Sequence, residues 1–196
     1  MKKIILIFLF VSQLCSAQTA QVNKLSDIKN KNENGDLTDQ IIVQGVYLRN
    51  LGNLGDLYKD AVGVMVSYGK HFPNSFLLVG TTGFMNHNLR VDTTQAIFQT
   101  VPLYVGGRYY LRNKSIMPYF SFMNGLNIIQ QDKNTDLEPD RQTLFRYFMQ
   151  VGFGLDFKIS NPIIFNINMN YNNAFYNPYY MLTGFQYAAG ISLMMK

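Results

Sequence analysis

Residues 163–172 read IIFNINMNYN. From Phe165 onward two kinds of side chain alternate: Phe165, Ile167, Met169 and Tyr171 on one parity, Asn166, Asn168, Asn170 and Asn172 on the other. A period of two is the mark of a β-strand, whose successive side chains point to opposite faces. A strand of a soluble antiparallel domain buries its apolar face and offers water a polar, usually charged one. Here the polar face is uncharged and uniformly amide. That suits a packed interior, where amides both donate to and accept from one another. The apolar face then needs a solvent of its own.

The same alternation appears in other segments. Phe145, Tyr147, Met149, Val151, Phe153, Leu155 and Phe157 oppose Arg146, Phe148, Gln150, Gly152, Gly154 and Asp156. Over 184–195, Phe185, Tyr187, Ile191 and Leu193 oppose Gly184, Gln186, Gly190 and Ser192. Over 101–112, Val101, Leu103, Val105, Gly107, Tyr109 and Leu111 oppose Pro102, Tyr104, Gly106, Arg108, Tyr110 and Arg112. The faces opposite the apolar ones are small or polar, as a narrow barrel interior requires. Strands are expected at 40–50, 59–71, 76–87, 97–112, 117–130, 143–158, 163–174 and 184–195, with weaker alternation in the third and fifth. No segment after Gln40 has a convincing helical period, and 18–40 allows at most a short helical turn.

The expected connections alternate between long and short. The short ones are HFPNS (71–75), RNKSIM (112–117) and ISNP (159–162). The long ones are 49–60, 87–96, 131–143 and NAFYNPYYMLT (173–183). An even-stranded membrane barrel shows this pattern, with short turns at one rim and long loops at the other. The expected strands also exceed the ordinary five or six residues, which suits a tilted span across a bilayer.

The chain begins MKKIILIFLFVSQLCSAQ, with Lys2 and Lys3 before an apolar run from Ile4 to Val11 and a small-residue site at Cys15-Ser16-Ala17. This is the layout of a secretory signal peptide over 1–17, and the apolar run is too short for a transmembrane helix. Ser12-Gln13-Leu14 fit a lipid-attachment site poorly. Cys15 is the one cysteine, so the exported chain is expected to have neither disulfide nor thiolate chemistry. Residues 18–39, rich in Asn, Lys and Asp, read as a flexible tail, and 40–196 as the barrel domain. Charged residues make up only 15% of the chain against 47% hydrophobic, low for a soluble surface. No basic cluster with interleaved aromatics is present, so no nucleic-acid partner is expected.

VPLYVGGRYYL (101–111), PYFSFMNGLN (118–127), QVGFGLDFKI (150–159) and TGFQYAAGISLMM (183–195) together resemble the small outer-membrane barrels of Gram-negative bacteria. The likeness is to the eight-stranded membrane domain of outer membrane protein A and related porin-family barrel domains, over nearly all of the chain after the leader. It implies an all-β fold, an eight-stranded antiparallel up-and-down transmembrane β-barrel in the bacterial outer membrane. One departure is the ending Met194-Met195-Lys196, where such barrels commonly end in an aromatic. Aromatic belts are expected at both interfaces. Phe72, Phe76, Tyr109, Tyr110, Tyr119, Phe120 and Phe157 fall near the short-turn rim. Tyr47, Phe84, Phe98, Phe145, Tyr171 and Phe175 fall near the long-loop rim.

Catalytic constellations are sparse. Barrel deacylases of lipid A carry a His-x-Ser pair with an acidic partner, and neither His71 nor His87 has one in sequence. Asp132, Asp136, Glu138 and Asp140 lack the glycine of a calcium loop and read as solvated. The reading is therefore not an enzyme, with no cofactor and no metal. Tyr104, Arg108, Arg146, Gln150, Asp156, Asn166, Asn168 and Asn170 are expected to form a polar network in the lumen, since buried charges need partners. The role expected is structural or interaction-based. Its partners are outer-membrane lipid and, through the long loops (NAFYNPYYMLT first), an envelope protein or surface partner. The alternatives are a narrow channel or small-solute and hydrophobic-compound transporter, and a soluble periplasmic lipocalin-like binding barrel.

Overall fold

The structure, a computed structural model, describes residues 38–51, 58–73, 75–89, 98–111, 115–133, 140–177 and 180–195. The expected leader and all but the end of the expected tail lie outside them, as do Asp136 and Glu138. The strands are β1 (Asp39–Leu51), β2 (Tyr58–Phe72), β3 (Phe76–Leu89), β4 (Phe98–Tyr110), β5 (Ile116–Lys133), β6 (Asp140–Lys158), β7 (Ile163–Asn177) and β8 (Tyr180–Met195). Each pairs antiparallel with its neighbour in sequence, and β1 pairs with β8 from Asp39↔Met195 to Leu51↔Thr183, closing the barrel. Closure gives the backbone groups of both terminal strands partners and leaves no open edge.

The pleat distributes side chains as the alternation requires. Val62, Val64, Val66 and Tyr68 of β2 face outward at 44–54% exposure, and Gly63, Met65, Ser67 and Gly69 face inward. On β7, Phe165, Ile167 and Tyr171 face outward, whereas Asn166, Asn170 and Asn172 are buried. The exterior carries one continuous apolar band through all eight strands.

Three features differ from expectation. First, NAFYNPYYMLT is mostly ladder: β7 runs to Asn177, β8 begins at Tyr180, and only residues 178–179 separate them. Tyr and Phe favour extended backbone, so the aromatic segment continues the hairpin instead of leaving it. The alternation of long and short connections therefore fails at this last hairpin. Second, Tyr110, Tyr119 and Phe98 are buried inside the barrel and take no part in an exterior belt, while Phe72, Phe76, Tyr109 and Phe120 do face outward at the short-turn rim. Third, the interior is only partly polar: Ile42, Leu77, Val79, Met65, Met85, Ile129, Ile164 and Phe148 all point inward. The interior of an eight-stranded barrel is just wide enough to be filled by side chains, so apolar residues with the right shape pack there as readily as amides.

One interior glycine is required by its neighbour. Gly154 of β6 is opposite Tyr119 of β5, and a Cβ built on it would lie 2.5 Å from the Tyr119 hydroxyl oxygen. The ring can cross to the lumen only over a bare backbone. Gly154→Val is expected to destabilise the barrel by about 1–3 kcal/mol through overpacking, read as a lower urea midpoint for unfolding from lipid vesicles.

Candidate functional site

Among the described residues, polar side chains from every strand converge in the lumen. Its lowest layer, at the short-turn rim, is built from β1, β2 and β8. Gln40 Nε2 donates to Ser192 Oγ at 2.8 Å, and Gln40 Oε1 lies 2.8 Å from His71 Nε2. An amide oxygen only accepts, so that His71 nitrogen carries the proton. The His71 ring stacks on Tyr110, centroids 5.8 Å apart. Tyr110 in turn donates its hydroxyl to Asp156 Oδ2 at 2.8 Å.

Arg108 lies in the same region, its Cζ 4.7 Å from the centre of the Tyr119 ring. Among the described residues the only ion pair is Lys70–Asp39 at 3.9 Å on the surface, so Arg108 and Asp156 make no direct salt bridge. A fully enclosed guanidinium over an aromatic face gains cation–π attraction in a medium of low dielectric. Arg108 Nη1, Tyr119 Oη, Asp156 Oδ1 and Asn166 Nδ2 are buried without a hydrogen-bond partner in the protein. A cavity of about 30 Å³ borders Arg108, Tyr119, Gln44 and Asn168, room for about two waters that can bridge such groups.

Above this layer, amides cross the lumen. Gln44 Nε2 of β1 donates to Asn166 Oδ1 of β7 at 2.6 Å, and Asn170 Nδ2 donates to Asn168 Oδ1 at 2.7 Å. Higher still, Gln150 Nε2 of β6 donates to Asn172 Oδ1 at 2.9 Å, and Asn172 Nδ2 donates to Gln186 Oε1 of β8 at 2.8 Å. Gln186 Nε2 reaches the Met65 sulfur at 3.6 Å on β2. This row is a bar across the barrel. It separates the lower cavity from a second one, of about 20 Å³, on the long-loop side.

The upper cavity is bounded by Asn50, Met85, His87, Thr100 and Phe148. His87 Nδ1 lies 3.2 Å from Asn50 Nδ2, and His87 Nε2 lies 3.3 Å from Thr100 Oγ1. The hydroxyl partner that sequence proximity did not offer to His87 thus comes from β4. The arrangement has the elements of an amide–imidazole–hydroxyl relay. However, all three side chains are buried, the ring is edge-on to Phe98 at 4.6 Å, and the space beside it has room for about one water. No acyl or glycosyl substrate fits there.

The expected network residues therefore occupy different layers. Asp156 and Arg108 share the lower one with Tyr110 and Tyr119, which pattern reading placed in a belt. Gln150 belongs to the amide bar. Tyr104, expected beside the charges, donates instead to Asn127 Oδ1 at 2.6 Å and stacks on Phe148 at 4.1 Å. Arg146, half-buried and opposite Asn127 in the ladder, donates Nη1 to its neighbour's carbonyl, Phe145 O, at 3.2 Å. The charges do not link to Tyr104 or Gln150, because strand stagger sets them at different heights. Gln44, Asn127, Asn172 and Gln186 were the missing partners, and their inward parity within each strand was the signal for them.

A closed eight-stranded antiparallel barrel with an oily exterior and a filled interior is the architecture of the small outer-membrane barrels. Neisserial surface protein A shares it with a TM-score of 0.59 at 12% identity, over 80% of this chain and 96% of that one. Ail, the attachment invasion locus protein of Yersinia pestis, matches with a TM-score of 0.51 at 13% identity, over 81% and 97%. OprG from Pseudomonas aeruginosa matches with a TM-score of 0.53 at 13% identity, over 80% and 95%. At such identities the likeness is one of fold. No family model matches the sequence, and a comparison with curated proteins finds no match.

Removing the Tyr110 hydroxyl tests the lower layer. Tyr110→Phe leaves the buried Asp156 carboxyl without its donor and is expected to cost about 1–3 kcal/mol, measured as the shift in unfolding free energy in urea.

Proposed function

We propose that this chain is an integral outer-membrane barrel with a structural or interaction role, closed along its axis by its own side chains. Residues 1–17 direct export across the inner membrane, and the strands from Asp39 to Met195 span the outer membrane. The observation that carries the reading is the inverted exterior. Leu103, Val105, Phe120, Phe153, Ile191 and Leu193 are 46–57% exposed, while Asp156, Asn166 and Gln40 are fully enclosed. Water penalises that distribution and hydrocarbon rewards it, at about 1.5–3 kcal/mol per large side chain. A lipocalin-like barrel needs the opposite distribution, with an oily cavity inside.

The lumen supports a structural role over transport. The amide bar and the stacked Tyr104–Phe148 pair fill the section between two cavities that hold only a water or two. The enclosed His87 relay supports a barrel without catalysis. Partner contact then falls to the long-loop rim, where the connections 52–57, 90–97 and 134–139 and the β7–β8 hairpin end. Ail, of the same fold, has been crystallised with a heparin analogue, sucrose octasulfate, which supports ligand binding by barrels of this kind. A narrow channel is favoured by one observation: the two cavities stack along the axis, and the bar between them rests on a few hydrogen bonds.

Two measurements decide the matter. Flotation with lipid vesicles and a band that shifts on heating in gel electrophoresis are expected from a membrane barrel, and a protein that stays soluble without detergent overturns that reading. In planar bilayers the protein is expected to give no lasting current steps. Sustained steps from the unmodified chain assign the channel.

A further inference from the structure

The exterior apolar band contains an amide. Asn124 sits on the outward parity of β5, between Phe122 at 48% exposure and Leu126 at 44%. Its neighbours across the ladder are Val105 of β4 and Met149 of β6, and neither pairing is bulged, so the pleat fixes its direction outward. Among the described residues, none gives the half-buried Asn124 amide a hydrogen bond.

Asn173, outward on β7 and opposite Met149, lies two strands along the same ladder row; depth separates Asn124 from the other amides of the outer wall. Asn86 is opposite Gln99 and Gln99 opposite Gln130, all near the long-loop rim. On β5, Asn124 lies about 15 Å below Gln130 and about 20 Å above Ile116, taking the usual rise and tilt of barrel strands. It is therefore inside a hydrocarbon layer, where no water reaches it and an unpaired amide is costly.

The geometry of the membrane selects the partner. A twofold axis along the membrane normal keeps two copies at equal depth, so an axis passing beside β5 sets residue 124 of one copy against residue 124 of the other. A primary amide is complementary to itself: Nδ2 donates to the opposite Oδ1 while its own Oδ1 accepts. The adjoining surface allows close approach. Gly80, opposite Val105, faces outward, and a Cβ built there would meet nothing closer than Tyr104 O at 3.9 Å. We infer that the outer face of β3–β5 is a contact between two copies of this chain in the membrane, closed by a reciprocal pair of Asn124 amides. The inference rests on the membrane reading above.

The test uses the full chain in phosphatidylcholine vesicles at graded lipid-to-protein ratios, with donor- and acceptor-labelled copies mixed and energy transfer recorded. The unmodified protein is expected to self-associate. Asn124→Val is expected to lower the association constant by about three- to thirtyfold, the range for hydrogen bonds between membrane segments, and Asn124→Gln to restore most of it. In a Cys15→Ser background, Asn124→Cys is expected to cross-link to itself on oxidation, while Val43→Cys, outward on β1 across the barrel, is not. Mobility on unheated gels checks that each variant is folded. A monomer at every ratio, equal association by Asn124→Val, or equal cross-linking from position 43 overturns the contact. Failure of the unmodified chain to float with the vesicles overturns the membrane reading instead, and the contact with it.

Discussion

Backbone hydrogen bonding between the first strand and the last is the constraint from which the remaining features follow. With Asp39 to Leu51 paired against Thr183 to Met195, every strand has a neighbour on both sides and the sheet has no edge. Only then can the exterior be so poor in polar groups, because within the closed ladder no backbone amide depends on water. The same closure fixes an interior of set width, and that width decides what may enter it.

The interior meets this limit by layering. Near the short-turn rim, Arg108 and Asp156 are held apart, each served by a tyrosine: Tyr119 under the guanidinium and Tyr110 on the carboxyl. In the middle, amides span the axis where their length suits it, from Gln44 to Asn166 and from Gln150 through Asn172 to Gln186. Between and above these, Leu77, Met85, Ile129 and Phe148 take the volume that no polar group needs. A buried polar network is stable when its members satisfy one another, and apolar packing around it keeps water from competing.

On the proposed reading, with the axis filled and the wall oily, the functional surface lies on the outside of the barrel. Specific recognition can arise at the long-loop rim, in water, or laterally, in lipid. The lateral surface is poor in polar groups, so an amide within it carries more meaning than the same residue would on a soluble domain.

Much of the fold was legible from the sequence, because alternation is a local property of the pleat. It identified eight strands, their order, and the outward faces of β2, β4, β6, β7 and β8. It was weaker on β3, where Leu77, Val79 and Met85 face inward beside outward Leu78 and Phe84, so both parities are apolar and the period fades. Aromatic residues near strand ends looked alike in sequence, yet Tyr110 and Tyr119 turn inward while Tyr109 and Phe120 turn outward, one residue away in each case. Which inward groups meet was settled only by the tertiary structure. Gln44 and Asn166 are 122 positions apart, and His87 finds Thr100 across a hairpin. Such meetings depend on the stagger of the strands around the closed barrel, which sets the height of every side chain, and no local pattern carries that stagger.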